Sequence, residues 1–322
     1  MGDSIVDMSD STIRQAKLDD TQAISRLFTT RISTWQRLNA QGQVEDVPYE
    51  TLSIYERWLH GGVWMSVETG AIHLSHLLRG AGIPLVAEVD GQVAAYAELY
   101  ESAEPPPFGV HLSLTPPTVH PDFASQNLET AIFSAAREML APRKAERLLV
   151  SVALAEAQQF YQSQGARPLA VVSRYSLPAR TGQGFYRTVE HPDPNPAQIR
   201  GWHMPIGRFG SARQQWETLW PRTWDAIPEI RQRRTHRLKF NAAGQDAFVC
   251  CQQQLYSERS ADVYCWSPRP LTSQLLTAVR DWSHREGYRT LVLSVTEDTA
   301  KILGPEAEAD GYSETIYGVE SL

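Results

Sequence analysis

Apolar positions in the first half of the chain follow strand and helix spacings in turn. Residues 13–17 are interpreted as a short alternating strand, and residues 18–21 offer capping side chains for a following helix. The apolar residues of that helix recur with helical spacing at Ile24, Leu27, Phe28 and Ile32. The chain therefore opens with a strand, a turn and a helix.

A hairpin is the strongest local signal that follows. The apolar run at 84–89 leads into Asp90 and Gly91, and an extended apolar pattern resumes over 92–100. The remaining elements complete a predicted order βαββαβαβ: a strand at 110–114, a helix at 127–140, a strand at 147–152, a short helix ending at Gly165 and a strand at 170–177.

The second half repeats this order. It predicts a strand at 202–208, a helix starting at Ser211, a hairpin turning at Gly244, a strand at 263–266 and a helix at 273–286. The clearest internal match pairs Leu275–Val279 with Ala131–Ala135, and Gly311 is equated with the helix-ending Gly165. The stretch from Pro178 to His203 is rich in Gly and Pro, which favours no regular element. These patterns predict domains at 1–180 and 201–322, joined by a linker at 181–200.

Composition narrows the class of protein. The 322 residues are 42% hydrophobic and carry a formal net charge of −7, which predicts a folded protein without a basic field for nucleic acid. No stretch approaches the roughly 20 apolar residues of a membrane span, and Met1–Asp10 lacks the basic and apolar regions of a targeting segment. We therefore expect a cytoplasmic protein with no membrane or nucleic-acid partner. The cysteines, at 250, 251 and 265, have no metal or disulfide spacing and are expected to be buried apolar residues.

Several segments resemble the GNAT superfamily of N-acetyltransferases: Ile13–Phe28, the hairpin Val86–Glu98, Val119–Phe123 and Ala157–Gly165. The resemblance covers about residues 12–178, and the second half looks like a more diverged copy. The tandem layout is similar to that of the mycothiol synthases. The resemblance implies an α/β fold, classed as α+β in some schemes, with two tandem domains that are each a mixed twisted sheet flanked by helices. It also implies acetyl-CoA as co-substrate, an amine of a small molecule or peptide as acceptor, and no metal.

In this family the pyrophosphate of CoA lies on backbone N–H groups at a helix start, reached through an Arg/Gln-x-x-Gly-x-Gly/Ala loop. From the His120–Phe123 anchor, both glycine positions of the first-half loop are lost, to Asn127 and Glu129. Asn127 is expected to take the left-handed conformation, whereas the Glu129 carboxylate suits the helix dipole and repels pyrophosphate. The candidate binding residues are Val119, Ala124, Ser125, Gln126, Asn127 and Glu129.

The equivalent loop of the second half is 267–272, with Pro270 and Thr272 at the glycine positions. Arg269 supplies a favourable charge, and Ser273 is expected to cap the helix. The candidate binding residues here are Arg269, Thr272 and Ser273. Pro116 and Pro117, just before the first-half loop, are interpreted as a strand end or bulge.

Direct attack of an amine on a thioester needs a base for the amine and an acid for the departing thiolate. The resemblance places the acid at Tyr161, four residues before Gly165, with plain packing as an equal alternative. Glu98 is the best candidate base, ahead of Glu101 and His111, although strand carboxylates are more often solvated. Ala307 takes the acid position in the second half. His73 and His76 lie one turn apart without a third ligand, so no metal is assigned.

Because neither candidate CoA loop keeps the glycines of the family pattern, three functions stay open. The first is an active acetyl-CoA-dependent N-acetyltransferase. The second is a catalytically degenerate GNAT-fold protein with a binding or scaffolding role, and the third divides ligand holding and structure between the domains. The basic run Arg231–Arg237 suits CoA phosphates, an acidic partner or nucleic acid, or is simply a solvated loop. The acceptor, the catalytic half and the oligomeric state stay open.

Overall fold

The elements of the first half follow the predicted order, with extra short helices after the first one. The structure is a computed structural model that describes residues 11–182 and 184–321, so Met1–Asp10 lie outside it. The strands are β1 (Ser11–Gln15), β2 (Gln36–Leu38), β3 (Val44–Asp46), β4 (Ile83–Val89), β5 (Gln92–Ala103), β6 (Val110–Leu114), β7 (Thr118–Val119), β8 (Arg147–Val152) and β9 (Arg167–Pro178). The helices are α1 (Thr21–Thr29), α2 (Ile54–Trp58), α3 (Val67–His76), α4 (Leu128–Glu138) and α5 (Ala155–Ser163).

The second half repeats the sequence of elements. Its strands are β10 (Tyr186–Glu190), β11 (His203–Ile206), β12 (Thr235–Ala242), β13 (Gln245–Gln254), β14 (Ser257–Ser267), β15 (Thr290–Thr296) and β16 (Glu308–Glu320). Its helices are α6 (Ala212–Leu219), α7 (Pro228–Arg231), α8 (Ser273–Arg285) and α9 (Glu297–Leu303). No helix in residues 11–182 or 184–321 has the length and apolar content needed to cross a bilayer.

Two sequence interpretations are wrong in this half. The stretch read as irregular linker contains β10, which pairs antiparallel with β12 from Tyr186 opposite Ala242 to Glu190 opposite Leu238. Gly311 does not end a helix, because it lies within β16 at a register irregularity. The helix α9 ends at Gly304 instead, which has φ 82°. The residue four positions before this glycine is Ala300, whereas Ala307, which the sequence pattern equated with the acid position, lies after the helix.

The described chain separates into two compact units. Unit 1 comprises residues up to Leu99 together with Thr115–Met139, and unit 2 comprises Tyr100–Leu114 together with the chain from Leu140 onward. In unit 1, β4 lies between β1 and β5, and β7 pairs with β5; all these pairs are antiparallel. Its core includes Ile24, Leu27, Trp64, Leu74, Val86 and Tyr96. The predicted domain limits rest on the repeat and stay a prediction.

Unit 2 carries a mixed sheet with strand order β6-β8-β16-β9-β15-β14-β13-β12-β10. Its two parallel pairs are β6 with β8 and β14 with β15, the strands on either side of α4 and α8 in sequence. Each half therefore contains the predicted parallel pair. The three cysteines are fully buried, as predicted, and burial raises the pKa of Cys250 and of Cys265 to about 12.

The closing strands of the two halves are exchanged. The first-half strand β9 pairs antiparallel with β15, along Val172–Pro178. The second-half strand β16 pairs antiparallel with β8 on one side and with β9 on the other. Ile316 of β16 and Val172 of β9 bury their side chains in one cluster with Leu149. Each parallel pair is therefore extended by a strand that belongs to the other half.

Candidate functional site

A buried carboxylate lies on the central strand of unit 1. Glu98 is 8% exposed, and its backbone N–H donates to the Thr115 hydroxyl at 2.8 Å. Its Oε1 accepts from three side chains: His73 Nε2 at 2.9 Å, Tyr96 Oη at 3.0 Å and Trp64 Nε1 at 3.4 Å. Glu98 is therefore not a solvated strand carboxylate, because several polar groups compensate for its loss of water.

The partners of Glu98 come from separate elements. Tyr96 lies two residues away on β5, so its side chain shares the strand face of Glu98. Trp64 stacks on Phe28 with ring centroids 5.8 Å apart, and His73 on α3 meets the Trp64 ring edge-on at 5.6 Å. Gly70 lets α3 approach, because a Cβ there would lie 3.0 Å from the indole ring. Only the Tyr96-x-Glu98 spacing was a signal for this cluster in the sequence.

His73 and His76, which the sequence places one helical turn apart, were considered as a pair of metal ligands. His73 contacts Glu98 and not a set of metal ligands. Among residues 11–182 and 184–321, no three His, Cys, Asp or Glu side chains are grouped so that they could hold a metal ion. The carboxylate of Glu98, the imidazole of His73 and the phenol of Tyr96 lie within hydrogen-bond distance, which suits them to proton transfer.

The predicted CoA loop of the first half lies in unit 1. Val119 pairs with Ala95, which places it on the strand next to Glu98. Ala124, Ser125 and Gln126 form the end of a 3₁₀ helix over Pro121–Gln126. Asn127 then takes the left-handed conformation, with φ 53° and ψ 30°, as the sequence predicted.

The start of α4 combines a helix N-terminus with a negative side chain. Glu129 lies exposed in the first turn. The backbone amides there favour an anion, and the carboxylate opposes one. Pro116 and Pro117 fall between β6 and β7, where the backbone N–H of Thr115 still donates to the Glu98 carbonyl at 2.9 Å. The interpretation of these prolines as an interruption of the strand is confirmed.

The other candidate acids and bases lie in unit 2. Tyr161 is 2% exposed on α5, and its ring meets the Phe160 ring edge-on. Glu101 is largely exposed, with its Oε1 3.0 Å from Arg143 Nε. His111 is fully buried and donates from Nδ1 to the Gly109 carbonyl at 3.0 Å. Burial alone suits Tyr161 to packing, and its role as an acid stays a prediction.

His111 belongs to a buried ionic cluster that the sequence did not indicate. The Glu104 carboxylate pairs with Arg208, and both side chains are at most 2% exposed. Glu104 Oε1 also accepts from the backbone N–H of Ala212 at 2.9 Å, and the Arg208 guanidinium lies 3.9 Å from the centre of the Phe108 ring. His111 Nε2 is 3.5 Å from Glu104 Oε1. Glu104 and Arg208 thus neutralise each other inside unit 2, and burial, which lowers the pKa of His111 to about 4, makes His111 unsuited to act as a base.

The stability of the protein is expected to fall as pH drops from 6.5 to 4 because of His111. Burial lowers the pKa of His111 from 6.5 to about 4, and Arg147 contributes in the same direction. Glu104 does not offset this, since Arg208 neutralises it. The unfolded state therefore binds more protons in this window, and the free energy of unfolding should lose about 2 kcal/mol between pH 7 and pH 5 from this group. Urea unfolding of wild type and His111→Gln at both pH values measures the effect, and equal pH slopes would contradict it.

The side chain of Gln245 binds the second-half loop, residues 267–272. Gln245 is 2% exposed, and its Nε2 donates to Ser267 Oγ at 2.9 Å and to the Pro270 carbonyl at 2.9 Å. Its Oε1 accepts from the Thr272 hydroxyl at 2.6 Å. The helix cap of α8 is Thr272, whose Oγ1 accepts from the Leu275 N–H, so the expectation for Ser273 was wrong; Ser273 is the first helical residue. Gln245 therefore holds the side chains of Ser267 and Thr272 and the Pro270 carbonyl together from inside the protein.

Arg269 also faces the protein. It is exposed, and its Nη2 donates to the Gly244 carbonyl at 2.7 Å. Pro268 and Pro270 on either side have no backbone N–H to offer an anion. The structure thus places Arg269 and Thr272 in one loop that leads into Ser273, the first residue of α8.

In the second half, the parallel strands β14 and β15 separate after a short paired stretch, and the main chain of β11 and Gly207 lies beside them there. β14 and β15 pair only from Ser260 to Asp262, and beyond this point β11 pairs with β14. Gly207, directly after β11, donates its backbone N–H to the Ser294 carbonyl at 2.7 Å. Gly207 has φ 83°, and a Cβ there would lie 2.4 Å from the Tyr264 ring. Only glycine fits, so this arrangement is specified by the sequence.

Solved structures with the same fold include GCN5-related N-acetyltransferases. One from Anabaena variabilis is 9% identical, with 97% of this chain and 73% of that chain covered and a TM-score of 0.60. One from Kribbella flavida is 12% identical, with 97% and 72% covered and a TM-score of 0.55. Eis1 from Mycobacterium abscessus is 13% identical, with 95% and 72% covered and a TM-score of 0.53. No family model matches the chain, and no curated protein matches it significantly.

The chain therefore has the GNAT fold. The repeated element order, with a parallel strand pair in each half, shows that it carries this fold twice in tandem. At these identities the similarity defines the fold and leaves the reaction to be argued from the residues.

Proposed function

We propose that the protein is an acetyl-CoA-dependent N-acetyltransferase whose catalytic half is the N-terminal one. The observation that supports this most is Glu98, a buried carboxylate with imidazole, phenol and indole donors on a central strand of a GNAT fold. In this proposal the C-terminal half contributes structure, because Gln245 binds the 267–272 loop from within and Gly207 bonds to β15 beside β11. The acceptor is an amine of a small molecule or peptide in the cytoplasm, without a metal, membrane or nucleic-acid partner.

Glu98 acts as the base in this proposal. It accepts a proton from the acceptor's ammonium group, and the neutral nitrogen attacks the thioester carbonyl carbon. The new C–N bond forms as the C–S bond breaks, and the sulfur takes a proton to leave as the CoA thiol. The resemblance gives this last proton to Tyr161, a role that remains part of the proposal.

The residues at the start of α4 fit the pyrophosphate of CoA in part. Asn127 supplies the left-handed turn that a glycine would supply, and the first-turn amides of α4 favour an anion. Glu129 counteracts them.

Replacing Glu129 with Gln is therefore expected to tighten acetyl-CoA binding about tenfold, since removing a carboxylate beside a pyrophosphate is worth about 1 to 2 kcal/mol. Calorimetric titration with acetyl-CoA measures the change. Glu138→Gln, an exposed charge near the other end of α4, is the matched control and should bind as the wild type does. Saturable binding that is stronger for Glu129→Gln supports the proposal, and no binding by any of the three proteins contradicts it.

The second candidate is a catalytically degenerate GNAT-fold protein that serves as a binding or scaffolding unit. The loss of the loop glycines in both halves favours it, because those glycines let a backbone approach a pyrophosphate closely. A lack of both acetyl-CoA binding and thiol release with a panel of amines would decide for this candidate.

A further inference from the structure

A strongly basic cavity lies in unit 2, away from the residues discussed above. Its volume is about 420 Å³, and it is bounded by the end of α6, the segment that follows it, and the neighbouring ends of β12 and β13. Five arginines line it, in a chain whose net charge is −7: Arg222, Arg231, Arg233, Arg234 and Arg237. We call it the arginine cavity. It contains the basic run that the proposed acetyltransferase leaves without a role.

The positive charge of the arginine cavity is not neutralised by ion pairs. Arg233 donates to the Gln253 carbonyl at 2.7 and 2.9 Å, and Arg237 donates to the Leu219 carbonyl at 2.7 Å. Arg234 donates to the Glu258 carbonyl at 2.9 Å. Carbonyl partners hold a guanidinium in position without cancelling its charge. None of the five arginines forms a salt bridge with a described residue.

The two acids on the lining do not balance five arginines. Glu190 and Asp225 both line the cavity, so the wall keeps an excess of positive charge. Arg222 and Arg231 are exposed, and neither side chain has a hydrogen bond within the part of the chain that the structure describes. These two guanidiniums are the ones available to a ligand without breaking an existing contact.

The chemistry of the wall matches a phosphate-bearing ligand of moderate size. Guanidinium groups bind phosphate oxygens through paired hydrogen bonds, which is why arginine predominates in phosphate recognition. The volume lies in the range of small-molecule sites, large enough for more than one phosphate. Trp224, a half-buried indole, lines the same wall, and indole rings are among the side chains against which a base packs. The acidic chain as a whole disfavours a nucleic-acid strand, which needs an extended positive surface.

We propose that the arginine cavity binds a nucleoside di- or triphosphate group. Two ligands contain this group: a free nucleotide, and CoA through its nucleotide end. The proposal does not depend on acetyl transfer, because none of the residues proposed for that reaction lines the cavity.

The test is calorimetric titration of the full chain with ADP, pyrophosphate, adenosine and CoA. We expect saturable ADP binding, weaker pyrophosphate binding and no adenosine binding. Arg222→Gln and Arg231→Gln should each weaken ADP binding at least tenfold, the loss typical of a charged hydrogen bond to phosphate. Because neither side chain has a hydrogen bond or salt bridge with a described residue, both variants should keep the wild-type unfolding temperature.

Arg187→Gln is the matched control, since Arg187 is an exposed arginine on β10 that does not line the cavity. It should bind ADP as the wild type does. Displacement of ADP by CoA would identify CoA as a source of the group, and binding of ADP in the presence of saturating CoA would identify a free nucleotide. The proposal is overturned if millimolar ADP does not bind, or if both variants bind it with wild-type affinity. Loss of acetyltransferase activity has no bearing on this result.

Discussion

Glu98→Gln is expected to lower kcat/KM for acetyl transfer by roughly a hundred- to ten-thousandfold, the range of a lost general base. The amide has nearly the same shape as the carboxylate but cannot accept the proton of the amine. The fold should persist, because an amide oxygen still accepts hydrogen bonds from Tyr96 and Trp64. Thiol release from acetyl-CoA with a responsive amine measures the rate, and a shift of the pH profile toward alkaline values should accompany the loss.

Glu101→Gln gives the comparison for this experiment. Glu101 lies on the same strand three residues further on, is largely exposed and is not placed in the reaction. Its removal should change kcat/KM less than twofold. Equal rates for Glu98→Gln and wild type would remove Glu98 from the mechanism, even if acetyl transfer itself were demonstrated.

Glu104→Ala is expected to reduce the free energy of unfolding by about 3–5 kcal/mol, the cost of breaking a buried ion pair from one side. Arg208 would keep its charge in a site that is 2% exposed, and the Ala212 N–H would lose its acceptor. Denaturant unfolding followed by tryptophan fluorescence measures the change.

A double replacement separates the ion pair from simple packing. Glu104→Leu combined with Arg208→Met removes both charges and should recover a large part of the lost stability. Asp298→Ala, which removes an exposed partner of Lys301, should leave the unfolding midpoint unchanged. A Glu104→Ala protein within 1 kcal/mol of wild type would show that the cluster contributes little.

The local elements could be predicted from the sequence because their signals are short in range. The Asp90-Gly91 turn between two apolar runs predicted the β4–β5 hairpin, and residues 110–114 were predicted with the bounds that the structure gives. The exchange of β9 and β16 between the halves could not be predicted, because it depends on pairing between distant strands. An apolar pattern shows that a segment is a strand and does not say which strand lies beside it.

The candidate site was predictable only in part, for a similar reason. Glu98 could be chosen from its strand, but Trp64 and His73 reach it through folding of a region that showed only helical character. Gln245 follows a hairpin turn at Gly244, and nothing local connects it with Pro270, 25 residues further along. The error at Gly311 came from equating glycines by sequence, whereas φ is positive at both Gly304 and Gly311 and only Gly304 ends a helix.

The strand exchange makes the two halves of the chain inseparable as genetic modules. A gene fragment ending after β9 would produce a protein in which β8 has lost its neighbour β16, and a fragment beginning at β10 would leave β15 without β9. Each would expose unpaired strand edges in a sheet that is otherwise continuous through unit 2, and such edges promote aggregation. Recombination between related tandem proteins would therefore have to transfer both halves together.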